Sequence, residues 1–440
     1  MALQRAARII NRNAGKLMAD SLPTPVPSLA RANGSALAPL REPLFRSLWL
    51  AAVISYTGTW MQNVGAGWLM TQLTMSPLMI GLVQAASTLP VFLVILPAGA
   101  LADMVDRRRF LLITQAWMVV AAGLLGVFTL LGYVTPWILL LFTFILGLGA
   151  VMNDPAWQAL TPDIVCPENH AAAVALNSVG FNLARAVGPA LGGLVIAATS
   201  SGVAFLLNAA SFFGVIFFLY RWKRPHFEQA QTGRVLESMR EGFRFLRSDS
   251  LVQCVLIRTG AFSLAASSLL ALLPLIARTC EHGATGYGLL LGSFGLGALA
   301  GAALLPHLRT RLSVDGVISA AIVLFALMTF ATGRIHVFHW LNLALFASGA
   351  AWIGILACLN VAAQTMSPPW MRARALSMYL LVLQGGMALG SAAWGALATK
   401  VGVPNTMLCS AVALILGLVT VRRYRLTVKE LEFAPSVVRD

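Results

Sequence analysis

The chain has 440 residues, 58% of them apolar and only 11% charged, against roughly 25% charged in an average soluble protein. The charges cluster and leave long runs free of them, which excludes an ordinary soluble domain and points to an all-α integral membrane protein with many spans. The net charge of +15 sits in particular loops and tails, so it speaks for membrane topology rather than for a nucleic-acid partner.

Residues 1–44 carry Arg5, Arg8, Arg12, Lys16, Arg31 and Arg41, with Pro23, Pro25 and Pro27 among them. No apolar run of signal-peptide type occurs there. The segment reads as a basic cytoplasmic tail whose Arg5–Lys16 stretch forms either a short helix on the lipid surface or a transit peptide.

Twelve spans are expected near 46–71, 78–102, 110–131, 136–156, 171–199, 203–220, 252–277, 286–307, 315–332, 338–362, 374–399 and 404–421. Gly/Pro turns such as Gly132–Pro136 and Gly402–Pro404 separate them. The organisation is then a tail (1–44), a six-helix bundle (45–220), a linker (221–250), a second six-helix bundle (251–421) and a tail (422–440). The linker holds an amphipathic helix over 235–246, with Val235, Met239, Phe243 and Leu246 on one face.

Lys and Arg concentrate in the tails and in the loops after spans 2, 6, 8 and 10, while the opposite side holds only Arg278, Arg334 and Lys400. The positive-inside rule therefore puts both termini in the cytoplasm. Cys166, Cys254, Cys280, Cys358 and Cys409 lack paired spacing, and no metal-type His/Cys spacing occurs, so neither a disulfide framework nor a metal is expected. Cys280 is expected to label from outside the cell and Cys166 from the cytoplasm.

Gly99-Ala-Leu-Ala-Asp103-Met-Val-Asp-Arg107-Arg108-Arg109 ends span 2, and three arginines force this turn into water. The segment resembles the span 2–3 loop of major facilitator superfamily transporters. Gly99, Leu101, Ala102, Asp103, Arg107 and Arg108 match, while Met104 and Asp106 depart from the pattern. In span 5, Ala184-Arg-Ala-Val-Gly188-Pro189-Ala-Leu-Gly192-Gly193 places small residues at 184, 188 and 192 on one smooth face, and Pro189 permits a bend. It resembles the span 5 signature of drug/proton antiporters. Together with Asn153-Asp-Pro-Ala-Trp-Gln-Ala-Leu-Thr-Pro-Asp163, it is similar to the branch of the superfamily that contains the enterobactin exporter. The resemblance covers roughly Phe45–Arg425 and implies two pseudo-symmetric six-helix bundles around a cavity. It also implies alternating access, with Gly99, Asp103, Arg107 and Arg108 as a conformational latch and Gly188, Pro189, Gly192 and Gly193 as a hinge and seal.

Arg185 and Arg258 are the full charges well inside spans, and each needs a cavity or a partner. Ser178, Asn182 and Arg185 share one face of span 5. That face either offers a cation to an anionic or catechol-like ligand or packs by bonding helix carbonyls. Arg258 either lines the cavity or snorkels to the cytoplasmic surface. Asp154, at the end of span 4, is either the proton-coupling carboxyl or the partner of a loop arginine. Gln62 and Asn63 are expected in the cavity, with Tyr379, Gln384 and Trp352 as second-half counterparts. Trp60 and Trp68 are either interfacial anchors or surfaces for a ring-bearing ligand.

No nucleophile–base pair, phosphate loop or ATPase signature stands out. The reading is secondary active export of a small organic molecule, a siderophore, drug or similar amphiphile. It is driven by the proton gradient without a cofactor, by a monomer in the bilayer. Uptake of an organic anion, or a scaffold or sensor that has lost transport, are the alternatives.

Overall fold

The computed structural model describes residues 37–104, 106–222, 250–365, 367 and 371–423. The basic stretch 5–16 and the expected linker helix over 235–246 lie outside the described residues, as does the side chain of Asp103.

Among the described residues the chain folds into twelve long helices and no strand. They are α1 (Pro43–Leu73), α2 (Pro77–Met104), α3 (Arg107–Leu130), α4 (Pro136–Ile164), α5 (His170–Ala198), α6 (Ser201–Arg221), α7 (Ser250–Arg278), α8 (Gly283–Arg311), α9 (Val314–Thr332), α10 (Phe338–Thr365), α11 (Arg372–Val401) and α12 (Val403–Arg423). Each corresponds to an expected span. The main departure is α4, which runs past the expected end near 156 to Ile164 with Pro155 and Pro162 inside it. Asp154 is therefore an interior residue of α4, not a helix end.

The ends are set by local chemistry. Pro43 and Pro136 start α1 and α4, where a missing N–H costs nothing. Asp106 caps α3 by accepting from the Arg109 N–H at 2.8 Å, so the residue that departs from the loop pattern has its own structural task. Ser313 caps α9 in the same way through the Gly316 N–H at 3.1 Å. Gly132 (φ 74°) and Gly402 (φ 81°) take the left-handed backbone that their turns require.

Eleven of the helices are long and apolar enough to cross a bilayer. The exception is α1, whose middle carries Tyr56, Thr57, Thr59, Trp60, Gln62 and Asn63. It is held between α5 and α6.

Within 37–222, α1 packs on α5 and α6, α2 on α4, and α3 on α4 and α6. The second set repeats this arrangement: α7 packs on α11 and α12, α8 on α10, and α9 on α10 and α12. A buried polar bridge joins the first and sixth helix of each set, Asn208 to Gln62 in one and Ser268 to Ser410 (2.6 Å) in the other. The two sets meet along α2–α11 and α5–α8. The end of the bundle bearing both chain entries and the arginine-rich loops is termed the basic end, and the opposite one the far end.

The close approaches between the sets run from the far end to mid-height. A Cβ on Gly193 would lie 2.7 Å from the Ala284 carbonyl, and one on Gly295 would lie 2.9 Å from the Arg185 carbonyl. A Cβ on Gly395 would lie 2.9 Å from the Pro77 carbonyl, and one on Gly385 would lie 2.6 Å from the Phe92 ring. Trp68 stacks on Tyr287, and Arg278 donates to the Thr71 carbonyl. Towards the basic end the close glycine approaches stay within each set, Gly180 of α5 against Val53 of α1 and Gly301 of α8 against Ala350 of α10. The molecule is thus closed at the far end and cleft at the basic end.

Candidate substrate cavity

The wall of the cleft can be built from helix faces. On α5, Ala173, Leu176, Gly180 and Ala184 are buried against α1 and its neighbours, while Ala186, Pro189 and Gly193 turn to α8. The face left between them carries Ser178, Phe181, Asn182 and Arg185. On α1, Asn63 is exposed although Met61, Gln62, Val64 and Gly65 around it are buried, so it opens onto an interior space. Tyr56 and Thr59 share its face at offsets of seven and four residues.

Asp154 of α4 joins this wall. It is exposed, and it acts electrostatically on the Tyr56 hydroxyl. Asn177 donates to the Thr161 hydroxyl at 3.0 Å, which fixes the register of α4 and α5. Counting from that bond toward the far end, Asp154 lies about 10 Å up α4 and Arg185 about 12 Å up α5, at 1.5 Å per residue. They therefore stand at nearly one height, where the two halves begin to touch. Among the described residues neither Asp154 nor Arg185 has a hydrogen bond or an ion pair. Ser178 and Asn182 spend their polar groups on their own helix, bonding the Val174 carbonyl (3.1 Å) and the Ser178 carbonyl (2.8 Å).

Three rings complete the wall. Phe181 meets Tyr56 edge-on at 5.4 Å between centroids and Trp60 at 6.5 Å. Trp60 in turn backs onto Gly188, where a Cβ would lie 2.7 Å from its own Cβ.

Several expected site residues lie elsewhere. Gln62 is buried and accepts from Asn208, so it bridges α1 and α6 instead of meeting a ligand. Tyr379 is 2% exposed in the core of the second half, its hydroxyl donating to the Leu356 carbonyl at 3.2 Å. Trp352 is buried among Phe262, Phe294 and Phe325. These side chains point into their own bundles because apolar neighbours surround them there. Gln384 is half-buried on α11. Trp68 stacks on Tyr287 at the far-end closure.

Arg258 is 3% exposed and bonds Asp315, at the start of α9, at 2.7 Å. It neither lines the cleft nor reaches the surface. The span 5 motif divides its work. Gly188 and Gly192 meet Trp60 and Met61 of α1, whereas Pro189 and Gly193 meet Gly288 of α8. In the span 2–3 loop, Arg107 lies 3.5 Å from Asp163 of α4. Arg108 donates to the Leu219 (2.8 Å) and Tyr220 (2.6 Å) carbonyls at the end of α6. Both arginines tie the loop to its own half, where Arg108 also satisfies orphan helix carbonyls.

Tyr56 and Phe181 did not stand out in the sequence. The signal was present: Phe181 lies three residues beyond Ser178 and four before Arg185, and Tyr56 lies four before Trp60. Asp315 needed the tertiary fold to meet Arg258.

Comparison with known proteins agrees with this architecture. The chain is 28% identical over 410 residues to the enterobactin exporter EntS of Escherichia coli O1:K1, covering 88% of this chain and 94% of that protein. The enterobactin exporter EntS of Shigella boydii serotype 18 matches with the same identity and coverage. Among solved structures, an inward-facing, unoccupied bacterial homologue of the human lysosomal transporter Spinster superposes with a TM-score of 0.68 at 13% identity, over 89% of this chain and 98% of that one. The nucleoside transporter NupG superposes with a TM-score of 0.69 at 14% identity, over 87% and 98%. The family described as transmembrane secretion effectors matches residues 34–438. The chain is therefore a multi-pass membrane transporter and belongs to the transmembrane secretion effector family of the major facilitator superfamily.

Proposed function

We propose that this transporter exports a small organic molecule from the bacterial cytoplasm across the inner membrane, as a monomer, in exchange for protons. The observation that carries the reading is the pair Asp154 and Arg185. Each faces the cleft at mid-height with no partner among the described residues. A charge inside the membrane without a partner is costly, so each is retained for something that arrives. Asp154 serves as the proton site and Arg185 as a substrate contact, and no cofactor takes part. The two exporters named above supply the direction of transport by analogy.

With both termini cytoplasmic, the basic end faces the cytoplasm and the described state is inward-open. Gly193 and Pro189 of α5 then seal the periplasmic end against Gly288 of α8. Asp103, at the last turn of α2, latches the halves when the cytoplasmic end closes.

Everted membrane vesicles test this. An imposed proton gradient, acid inside, should drive accumulation of an aromatic or siderophore-type substrate inside the vesicles, and Asp154→Asn should abolish the dependence on the gradient. Flux that ignores the gradient overturns the coupling. Proton-driven movement out of the vesicles establishes uptake instead of export.

A further inference from the structure

Three arginines meet where the start of α3 lies against the end of α6. Arg108 bonds the Leu219 carbonyl through Nε (2.8 Å) and the Tyr220 carbonyl through Nη2 (2.6 Å). The Tyr220 carbonyl belongs to the peptide that leads into Arg221, so the Arg108 guanidinium lies beside the Arg221 backbone. Arg109 follows Arg108, with its Cα about 3.8 Å away. Among the described residues none of the three pairs with a carboxylate. The carboxylate of Asp106, three residues before Arg109, caps α3 through the Arg109 N–H. The α6 carbonyls occupy two of the five N–H groups of Arg108 and leave three.

The patch faces lipid rather than the cleft. Both helices pack on members of their own set. Arg109 shares its side of α3 with Ile113, Val120 and Val127, all exposed apolar side chains. Arg221 lies one turn beyond Phe217, which is exposed together with Phe213.

Helix direction sets the depth of each charge. Side chains lean toward the N-terminus of their own helix. Because α3 starts at the basic end, Arg109 leans outward to water. Because α6 finishes there, Arg221 leans back into the bilayer, and its Cζ lies 5.4 Å from the centre of the Phe217 ring. The two arginines thus bracket the headgroup layer. A charge on the lipid side of a helix is costly without a counter-charge, and the layer at this depth supplies phosphates. Beneath Arg109, Ala116 and Gly123 continue one line down α3 in steps of seven residues. A Cβ on Gly123 would meet no atom within 4 Å, so a furrow wide enough for an acyl chain runs beside α6.

We propose that Arg108, Arg109 and Arg221 form a binding site for the phosphate of an anionic phospholipid, whose acyl chain lies along the furrow between α3 and α6. The site is independent of the cleft and of what the protein carries.

Native mass spectrometry of the full chain tests it, with phosphatidylglycerol and phosphatidylcholine of identical acyl chains as probes. Phosphatidylglycerol should bind more tightly, and a diazirine-bearing phosphatidylglycerol should crosslink to α3 and α6. Arg109→Gln with Arg221→Gln should weaken phosphatidylglycerol about 30-fold, from roughly fivefold per arginine at a membrane surface. Arg109→Lys with Arg221→Lys keeps the charges and should retain most of the binding. Phe217→Leu, which removes the ring under Arg221, should weaken it about two- to fivefold. Arg311→Gln with Arg334→Gln removes two exposed charges elsewhere and should leave it unchanged. Equal binding of the two lipids, an equal loss in the Arg311 and Arg334 pair, or crosslinks confined to other helices overturns the site. Displacement of the lipid by an equal concentration of inorganic phosphate overturns the lipid as its ligand. The crosslinks on the unmodified protein decide the matter even if the glutamine pair fails to fold.

Discussion

Gly193→Ala places one methyl at the seam that closes the far end. The added Cβ would lie 2.7 Å from the Ala284 carbonyl oxygen, 3.0 Å from the Gly288 Cα and 3.2 Å from the Thr285 Cα. All three are backbone atoms, so no flexible side chain can yield and α5 and α8 must move apart. Overpacking of this kind costs about 1–3 kcal/mol. Alanine also favours the helix over glycine by about 0.5–1 kcal/mol, but that gain applies whether the seam is closed or open and does not shift the balance. The strain exists only in the state closed at the far end, so that state should lose roughly 5- to 150-fold in population against the one open there. Spin-label distances between positions 198 and 281 at the far end, measured in nanodiscs, report the shift as a longer component. Gly188→Ala is the control. Its Cβ would meet Trp60 and Thr57 of α1, within the same half, so it should lower stability without lengthening that distance. An unchanged distance distribution for Gly193→Ala, or an equal change for Gly188→Ala, would refute the assignment of Gly193 to the moving seam.

Asp315→Ala removes the carboxylate from the buried guanidinium of Arg258 and should cost up to about 3–5 kcal/mol, less to the degree that Asp315, with its side chain 25% exposed, is screened; thermal unfolding in detergent reads it, and Arg258→Met with Asp315→Leu should recover part of the loss. The expected outside labelling of Cys280 needs correction, because its side chain is buried and burial pushes the thiol up, leaving less reactive thiolate at neutral pH. An impermeant maleimide on intact cells should therefore leave Cys280 slow, with its rate still rising at pH values where an exposed thiol has levelled off; Glu281→Cys should label at once, and Cys166 only after permeabilisation. Asp103→Asn should reduce transport and favour the inward-open state, since a carboxylate brought to the N-terminus of α11 when the cytoplasmic end closes is worth about 0.3–1 kcal/mol and up to ~2 when partly buried; unchanged label distances between the loops after α2 and α10 would remove the latch.

The spans were legible because their signal is one-dimensional. A helix in lipid needs an unbroken apolar run, and the interruptions at Gly132–Pro136 and Gly402–Pro404 mark the turns without help from the fold. What a polar residue inside a span does was not legible, because that depends on which way one helix face turns. Gln62 and Asn63 are neighbours in sequence and of similar chemistry, yet a rotation of about 100° sends one to Asn208 and the other to the cleft. Tyr379 and Trp352 failed for the same reason. α4 runs on past Pro155 and Pro162, prolines that would end or kink a helix in water. In a membrane bundle, neighbouring helices re-satisfy the freed carbonyls, and such helices run on.

The joints of the molecule separate by chemistry according to whether the proposed alternating access must open them. Within each half, helices are tied by hydrogen bonds: Trp49 to the Leu176 carbonyl, Gln115 to Asn153, Gln62 to Asn208, Ser268 to Ser410 and Trp394 to the Leu264 carbonyl. Opening any of these in hydrocarbon would strand a polar group at a cost of several kcal/mol. Among the described residues no side-chain hydrogen bond joins α5 to α8, whose seam is glycine and alanine laid on backbone. Contact of that kind is close enough to seal but forfeits only dispersion when it parts. The exception fits the rule: the Arg278 bond to the Thr71 carbonyl joins the halves at the far end, in the last turns of α1 and α7, where water can replace either partner as the seam opens.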